Sequence, residues 1–124
     1  MVDQAIIEAV RKYLLALQDQ GLAVRHGVIF GSYAAGKAHQ WSDIDLLVVS
    51  PQFDKAYQRK ELDLLWRTTA RTDSRIEPVP CGELQWDKDD STAIIEIARR
   101  EGVLVEITGD QGTPGKQAAY TTNG

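Results

Sequence analysis

The run Asp43-Ile-Asp-Leu-Leu-Val-Val-Ser50 constrains this chain more than any other stretch. So apolar and β-branched a segment reads as a buried strand, yet two carboxylates one residue apart stand at its head. Side chains alternate along a strand, so Asp43 and Asp45 point the same way with their Cα atoms about 6.6 Å apart. Ile44, Leu46 and Val48 then face the opposite, helix-covered side. Two unpaired anions held that close repel each other and push one pKa upward, a cost that a bound divalent cation removes. Hard oxygen ligands suit magnesium or manganese. Two such ions about 3.5 to 4 Å apart can stabilise both the entering and the leaving oxygens of phosphoryl or nucleotidyl transfer.

The segments around this strand supply its cover. Ile6, Ile7, Val10, Tyr13, Leu14 and Leu17 recur at helical spacing, with Asp3 as the N-cap and Gly21 as the stop. Residues 24–30 form a short β-branched strand, expected to bend near Gly27. After the central strand, Pro51 forces a break, and a second long helix from Phe53 to about Asp73 turns Tyr57, Leu62, Leu65 and Trp66 toward the core. A strand over Ser74–Val79 is expected to stop at Pro80. A helix capped by Ser91 or Thr92 follows, with Ile94, Ile97 and Ala98 inward and Gly102 as terminator. Val103–Ile107 closes as the last strand. Residues 108–124 have too little apolar content to offset the cost of ordering and read as a flexible tail beyond a domain of residues 1–107. The expected class is α/β (α+β), a small mixed sheet with helices packed on one face.

Composition narrows the function. With 124 residues, 43% of them hydrophobic, the chain can bury one modest core. A net charge of -4 argues against wrapping long nucleic acid, which calls for a basic excess. Small or metal-bridged anions stay open. The single cysteine, Cys81, leaves no internal disulfide framework and no cysteine-rich zinc site; with a start unlike a signal peptide, it points to a reducing, cytoplasmic setting. No apolar run approaches the roughly 20 residues that span a bilayer.

Upstream of the acids, the stretch Phe30-Gly-Ser-Tyr-Ala-Ala-Gly-Lys37 sets Gly31 and Ser32 between a strand and a short helix through Ala34 and Ala35. Such a junction offers backbone N–H groups to an anion, and glycine lets a phosphate approach the main chain. Ser32 adds a hydroxyl and Lys37 a charge. The full Walker pattern is absent, since Ala38 stands where it needs a hydroxyl.

Together, Gly-Ser-Tyr-Ala-Ala-Gly, six intervening residues and Asp-Ile-Asp resemble the signature of the DNA polymerase beta-like nucleotidyltransferase superfamily, and in particular its minimal nucleotidyltransferase domain proteins. The resemblance covers residues 1–107. It implies the polymerase beta-like fold, with Asp43 and Asp45 binding magnesium or manganese, and Gly31 with Ser32 holding a nucleoside triphosphate such as ATP. A third carboxylate on a neighbouring strand completes the metal site and helps activate the attacking hydroxyl; Glu77 matches it, with Asp73 as competitor at a turn where aspartate is expected for capping alone. Many members carry an arginine in the turn where this chain has Ala35, a loss that would weaken triphosphate binding. Relatives of this size are often encoded beside helical HEPN-type proteins in toxin–antitoxin pairs. The resemblance therefore implies AMP transfer to a hydroxyl on a partner, with this chain as the antitoxin. The larger relatives' helical substrate domain is missing, so a partner, a second copy or a protein substrate is expected to supply recognition. A non-catalytic binding module of the same fold is the alternative. His26 and His39 read as ordinary strand and loop residues. Trp41, Trp66 and Trp86 read as packing residues, Trp41 close to the pocket, and Arg67, Arg71 and Arg75 as a solvated helix edge.

Overall fold

The computed structural model describes residues 2–39, 42–55, 59–88 and 92–107. Trp41, Tyr57, Ser91 and the expected tail lie outside them. Helix α1 (Gln4–Asp19) starts as its sequence dictates: the Asp3 carboxylate accepts from the Ala5 N–H at 3.1 Å. It ends at Gly21, whose φ of 100° suits a residue without a Cβ and whose N–H bonds to Gln18 O at 3.0 Å. Strands β1 (His26–Phe30) and β2 (Ile44–Ser50) run antiparallel. A 3-10 turn over Pro51–Asp54 and helix α2 (Arg59–Arg71) then cross to β3 (Ile76–Gly82), which lies parallel to β2. A short helix α3 (Glu83–Lys88), helix α4 (Ala93–Glu101) and strand β4 (Val103–Glu106), antiparallel to β1, complete the order β3-β2-β1-β4. This is the small mixed sheet expected of an α/β chain.

Alternation on β2 divides the interior. Ile44, Leu46 and Val48 join Ile29, Ile76 and Val105 beneath Val10, Tyr13, Leu14 and Leu17 of α1 and Leu65 of α2. Leu47 and Val49 face the other way, with Val28 and Cys81, against Ile95 and Ala98 of α4 and Trp86 of α3. Helices thus cover both faces of the sheet rather than one. The acids at the head of β2 share the second face.

Several expectations are corrected. β1 runs through Gly27 without a break; a Cβ there would meet Leu14 Cδ1 at 2.9 Å and Leu46 Cδ1 at 3.1 Å, so this glycine serves the close approach of α1. β3 continues through Pro80 to Gly82, because β3 is an edge strand and a proline can turn its missing N–H outward. The helix expected from Phe53 begins instead as the 3-10 turn. Trp66 is 51% exposed on α2 rather than in the core. On α4 the buried residues are Ile95 and Ala98, with Ile94 and Ile97 exposed. No described helix is long and apolar enough to cross a membrane.

His26 contacts Trp86 edge-on, ring centroids 5.6 Å apart, and its Nε2 is buried without a hydrogen-bond partner among the described residues. Burial lowers its pKa below 6.5, against the opposing charges of Asp87, Glu106 and Glu83. A histidine held neutral by the fold stabilises it fully above the unfolded value, and loses that contribution as pH falls below it. Melting curves of wild type and His26→Phe between pH 7 and 5 should therefore diverge: the wild type alone should pay for charging this imidazole.

Candidate active site

β1 ends at Phe30, paired in register with Asp45. The chain leaves the strand through Gly31 at φ 75° and completes one near-helical turn, closing at Gly36 with φ 74°. Ala35 N–H bonds to Gly31 O at 3.0 Å and Lys37 N–H to Ser32 O at 2.9 Å. The short helix expected here is this single turn. No described backbone acceptor takes the N–H groups of Ser32, Tyr33 or Ala34, the unsatisfied donors at the start of any helical turn. Ser32 is half-buried, and Lys37 is exposed where the turn ends.

The turn and the carboxylates are in contact. A Cβ built on Gly31 would collide with Asp45 Oδ2, so the carboxylate lies over the glycine Cα. Asp45 pairs with Glu77 across the parallel β2–β3 ladder, which sets the two side chains on the same face. Asp43, two residues before Asp45, is exposed at the mouth of the sheet. Burial, then the charge of Asp43, raises the Asp45 pKa. The Glu77 pKa is raised first by a hydrogen bond with Asp43, then by burial and by the charges of Asp43 and Asp45.

Asp73 is occupied elsewhere. Its Oδ1 accepts from the Arg75 backbone N–H at 3.0 Å, and its carboxylate takes both Nε at 3.0 Å and Nη2 at 2.6 Å of the Arg75 guanidinium. Those hydrogen bonds hold its pKa below the usual carboxylate range. Arg75 is accordingly part of the α2–β3 turn, not of a solvated helix edge. The Asp-Ser-Arg spacing, an aspartate capping its own turn two residues on, was the available sequence signal for this pairing.

As they stand, no three described His, Cys, Asp or Glu side chains form a group that would hold a metal ion. The donor set still fits a hard divalent cation: Asp45 and Glu77 share a face in register, Asp43 stands two residues before Asp45 at the mouth of the sheet, and the neighbouring acids are among the causes that raise the Asp45 and Glu77 pKa values, a repulsion that a cation would relieve.

Residues 9–104 match the family model of the nucleotidyltransferase domain. The chain belongs to this family. Among solved structures, the nucleotidyltransferase domain described here resembles a protein from Sulfolobus solfataricus assigned as a nucleotidyltransferase, at 17% identity and TM-score 0.58, covering 79% of this chain and 77% of that one. It also resembles a toxin–antitoxin structure with AMP-PNP, at 22% identity and TM-score 0.55, covering 77% and 71%. At these identities the likeness is one of fold. Comparison with curated proteins gives no significant match.

Proposed function

We propose that this nucleotidyltransferase domain moves a nucleoside monophosphate, AMP from ATP, to a hydroxyl on a partner protein, acting as the antitoxin of a toxin–antitoxin pair. The observation that carries the reading is the meeting of Asp43, Asp45 and Glu77 on one face of the sheet, against a glycine turn whose first N–H groups no described backbone acceptor takes. Asp43, Asp45 and Glu77 would hold magnesium or manganese, which when bound stabilises charge on the entering and leaving oxygens. Gly31 leaves room for the triphosphate beside Asp45. The N–H groups and hydroxyl at Ser32, with Lys37, hold its phosphates and then the departing pyrophosphate. Glu77 is exposed, within reach of an incoming hydroxyl, and its carboxylate takes that proton as the oxygen attacks the α-phosphorus in line. The AMP-PNP in the similar toxin–antitoxin structure supports adenine nucleotide and a protein partner as the first choices to test, with a helical HEPN-type chain the partner class suggested by the sequence.

Ala35 favours a second reading, in which the domain binds nucleotide or partner without catalysis, because the turn has no guanidinium to grip the triphosphate. Labelled ATP, magnesium and the partner separate the two. The first reading expects a covalent AMP adduct that disappears in Asp43→Ala and Asp45→Ala; an inhibitory complex that forms equally well in both variants, with no adduct in wild type, would establish the second.

A further inference from the structure

The two edges of the sheet are unlike. β3 carries Pro78 and Pro80, which have no N–H to offer a further strand. β4 has no proline, and no described strand pairs with its outer side. The Glu106 carbonyl accepts from Arg11 Nε at 3.0 Å rather than from β1, so by the two-residue period of a strand the Leu104 N–H and C=O also point outward. Apolar side chains gather around this open edge. Among the described residues six large apolar side chains are exposed, and four of them, Leu15, Ile94, Ile97 and Leu104, border β4. Leu104 pairs in register with Val28, which sets it on the α4 side of the sheet. On one flank of α4, Arg99 Nε donates to the Trp86 carbonyl of α3 at 3.0 Å; the other flank, with Ile94 and Ile97, therefore leans toward β4. Across the sheet, Leu15 stands one turn beyond Arg11 on the flank of α1 that reaches β4.

The charges around the patch are matched within the chain. Arg11 pairs with Glu8 at 2.8 Å and Arg100 with Glu101 at 3.7 Å, so this face has no strong sign of its own with which to select an acidic or a basic partner. A neutral, apolar face edged by an open strand is complementary to itself. We propose that β4 pairs antiparallel with β4 of a second copy about a two-fold axis at Leu104, joining two four-stranded sheets into one of eight. Leu104 then meets its own equivalent, and the two can exchange both main-chain hydrogen bonds. Glu106 falls opposite Gly102 of the second copy, at the α4 end that carries the exposed Arg100. The Glu106 carbonyl and the Gly102 N–H, which such a register would otherwise bring together, are already satisfied by Arg11 and by Ala98 O at 2.8 Å. Because prolines close the β3 edge, assembly stops at two. The contact is three layers deep, helix, sheet and helix, each about 10 Å thick and about 20 Å long, and so covers about 600 Å² of each copy, near the lower limit for a stable dimer.

Sedimentation of the full chain over a range of concentrations tests the pairing. The mass should pass from 13.8 kDa to twice that value, with a dissociation constant of about 10 μM. Leu104→Lys and Ile97→Glu should each weaken the dimer about 30-fold or more; both positions are exposed, so the folded monomer should survive. Trp66→Glu, at an exposed apolar residue of α2 away from this edge, should leave the dimer unchanged. In the wild type, hydrogen exchange of the Leu104 amide should slow as the concentration rises and the dimer fills. A monomer at every concentration overturns the proposal. If that monomer nevertheless protects the Leu104 amide, the edge belongs to residues 108–124 of the same chain. A ladder of species larger than two overturns the closed two-fold, and a dimer that tolerates both Leu104→Lys and Ile97→Glu has its interface elsewhere.

Discussion

Asp45→Asn should reduce nucleotidyl transfer by at least about 10³-fold, while the free protein becomes no less stable than wild type. Loss of activity follows from removing the carboxylate at the centre of the trio, between the glycine turn and Glu77. The stability expectation follows from electrostatics. Burial and Asp43 raise the Asp45 pKa, and Glu77 is raised by its bond to Asp43. A carboxyl whose folded pKa exceeds its unfolded one binds its proton more tightly when folded. It therefore opposes folding above the folded value, and the opposition fades as pH falls toward the unfolded value. An amide removes one of the charges responsible. The site is partly solvated, so the gain at pH 7 should not exceed about 1 kcal/mol. Magnesium gives a separate check: it should raise the wild-type melting temperature more at pH 7 than at pH 5, where protons compete with it for the carboxylates, and hardly move that of Asp45→Asn. The difference between wild type and variant isolates the carboxylates from His26, whose contribution changes with pH in the opposite sense. Transfer by Asp45→Asn within tenfold of wild type would remove the metal role from this residue.

The parts of this fold that were legible in advance are those set by local chemistry. The Asp3 cap, the Gly21 stop and the two-residue period of β2 all act within a few residues of themselves, and they settle the direction in which Asp43 and Asp45 point. What escaped the sequence depends on distant contacts. Helix α3 has no signal of its own; its start is held by the Asp54 carboxylate, which accepts from the Leu84 N–H at 3.0 Å from thirty positions away. β3 passes through Pro80 because, among the described residues, no further strand pairs with its outer edge, and no local pattern tells an edge strand from a central one.

On α4, four apolar residues among Ile94, Ile95, Ile97 and Ala98 make a stripe too wide for a nine-residue helix to reveal its centre, and packing against Val28 and Leu47 selects Ile95 and Ala98. Arg75 was misread for a similar reason. Spaced four residues from Arg71, it continues a helical pattern, but α2 stops at Arg71 and the turn that follows hands Arg75 to Asp73. The site itself divides the same way: the aspartate pair and the glycine turn are adjacent in sequence, whereas the meeting of Glu77 with Asp43 requires the parallel β2–β3 register.

Gly31→Ala should be far more damaging than Gly36→Ala, which is its control. Both positions have nearly the same backbone, φ 75° and 74°, so an alanine pays the same left-handed strain at each, about 1 kcal/mol. Their surroundings differ. A Cβ on Gly36 meets nothing within 4 Å, whereas one on Gly31 runs into the Asp45 carboxylate. To make room, either the turn must lift from β2 or Asp45 must swing aside, and each movement separates the Gly31–Ser32 turn from the carboxylates, which on the proposed reading hold phosphate and metal. Gly31→Ala should therefore cost about 2 to 3 kcal/mol of stability and about 10²-fold or more in transfer, against about 1 kcal/mol and less than about threefold for Gly36→Ala. Denaturant melts and single-turnover assays on both variants measure the two effects. Equal losses at the two positions would mean that strain alone governs the turn and that its contact with Asp45 has no part in the chemistry. A selective loss at Gly31 would place the turn and the carboxylates in one mechanical unit, in which the gap left by a missing side chain is the space the substrate needs.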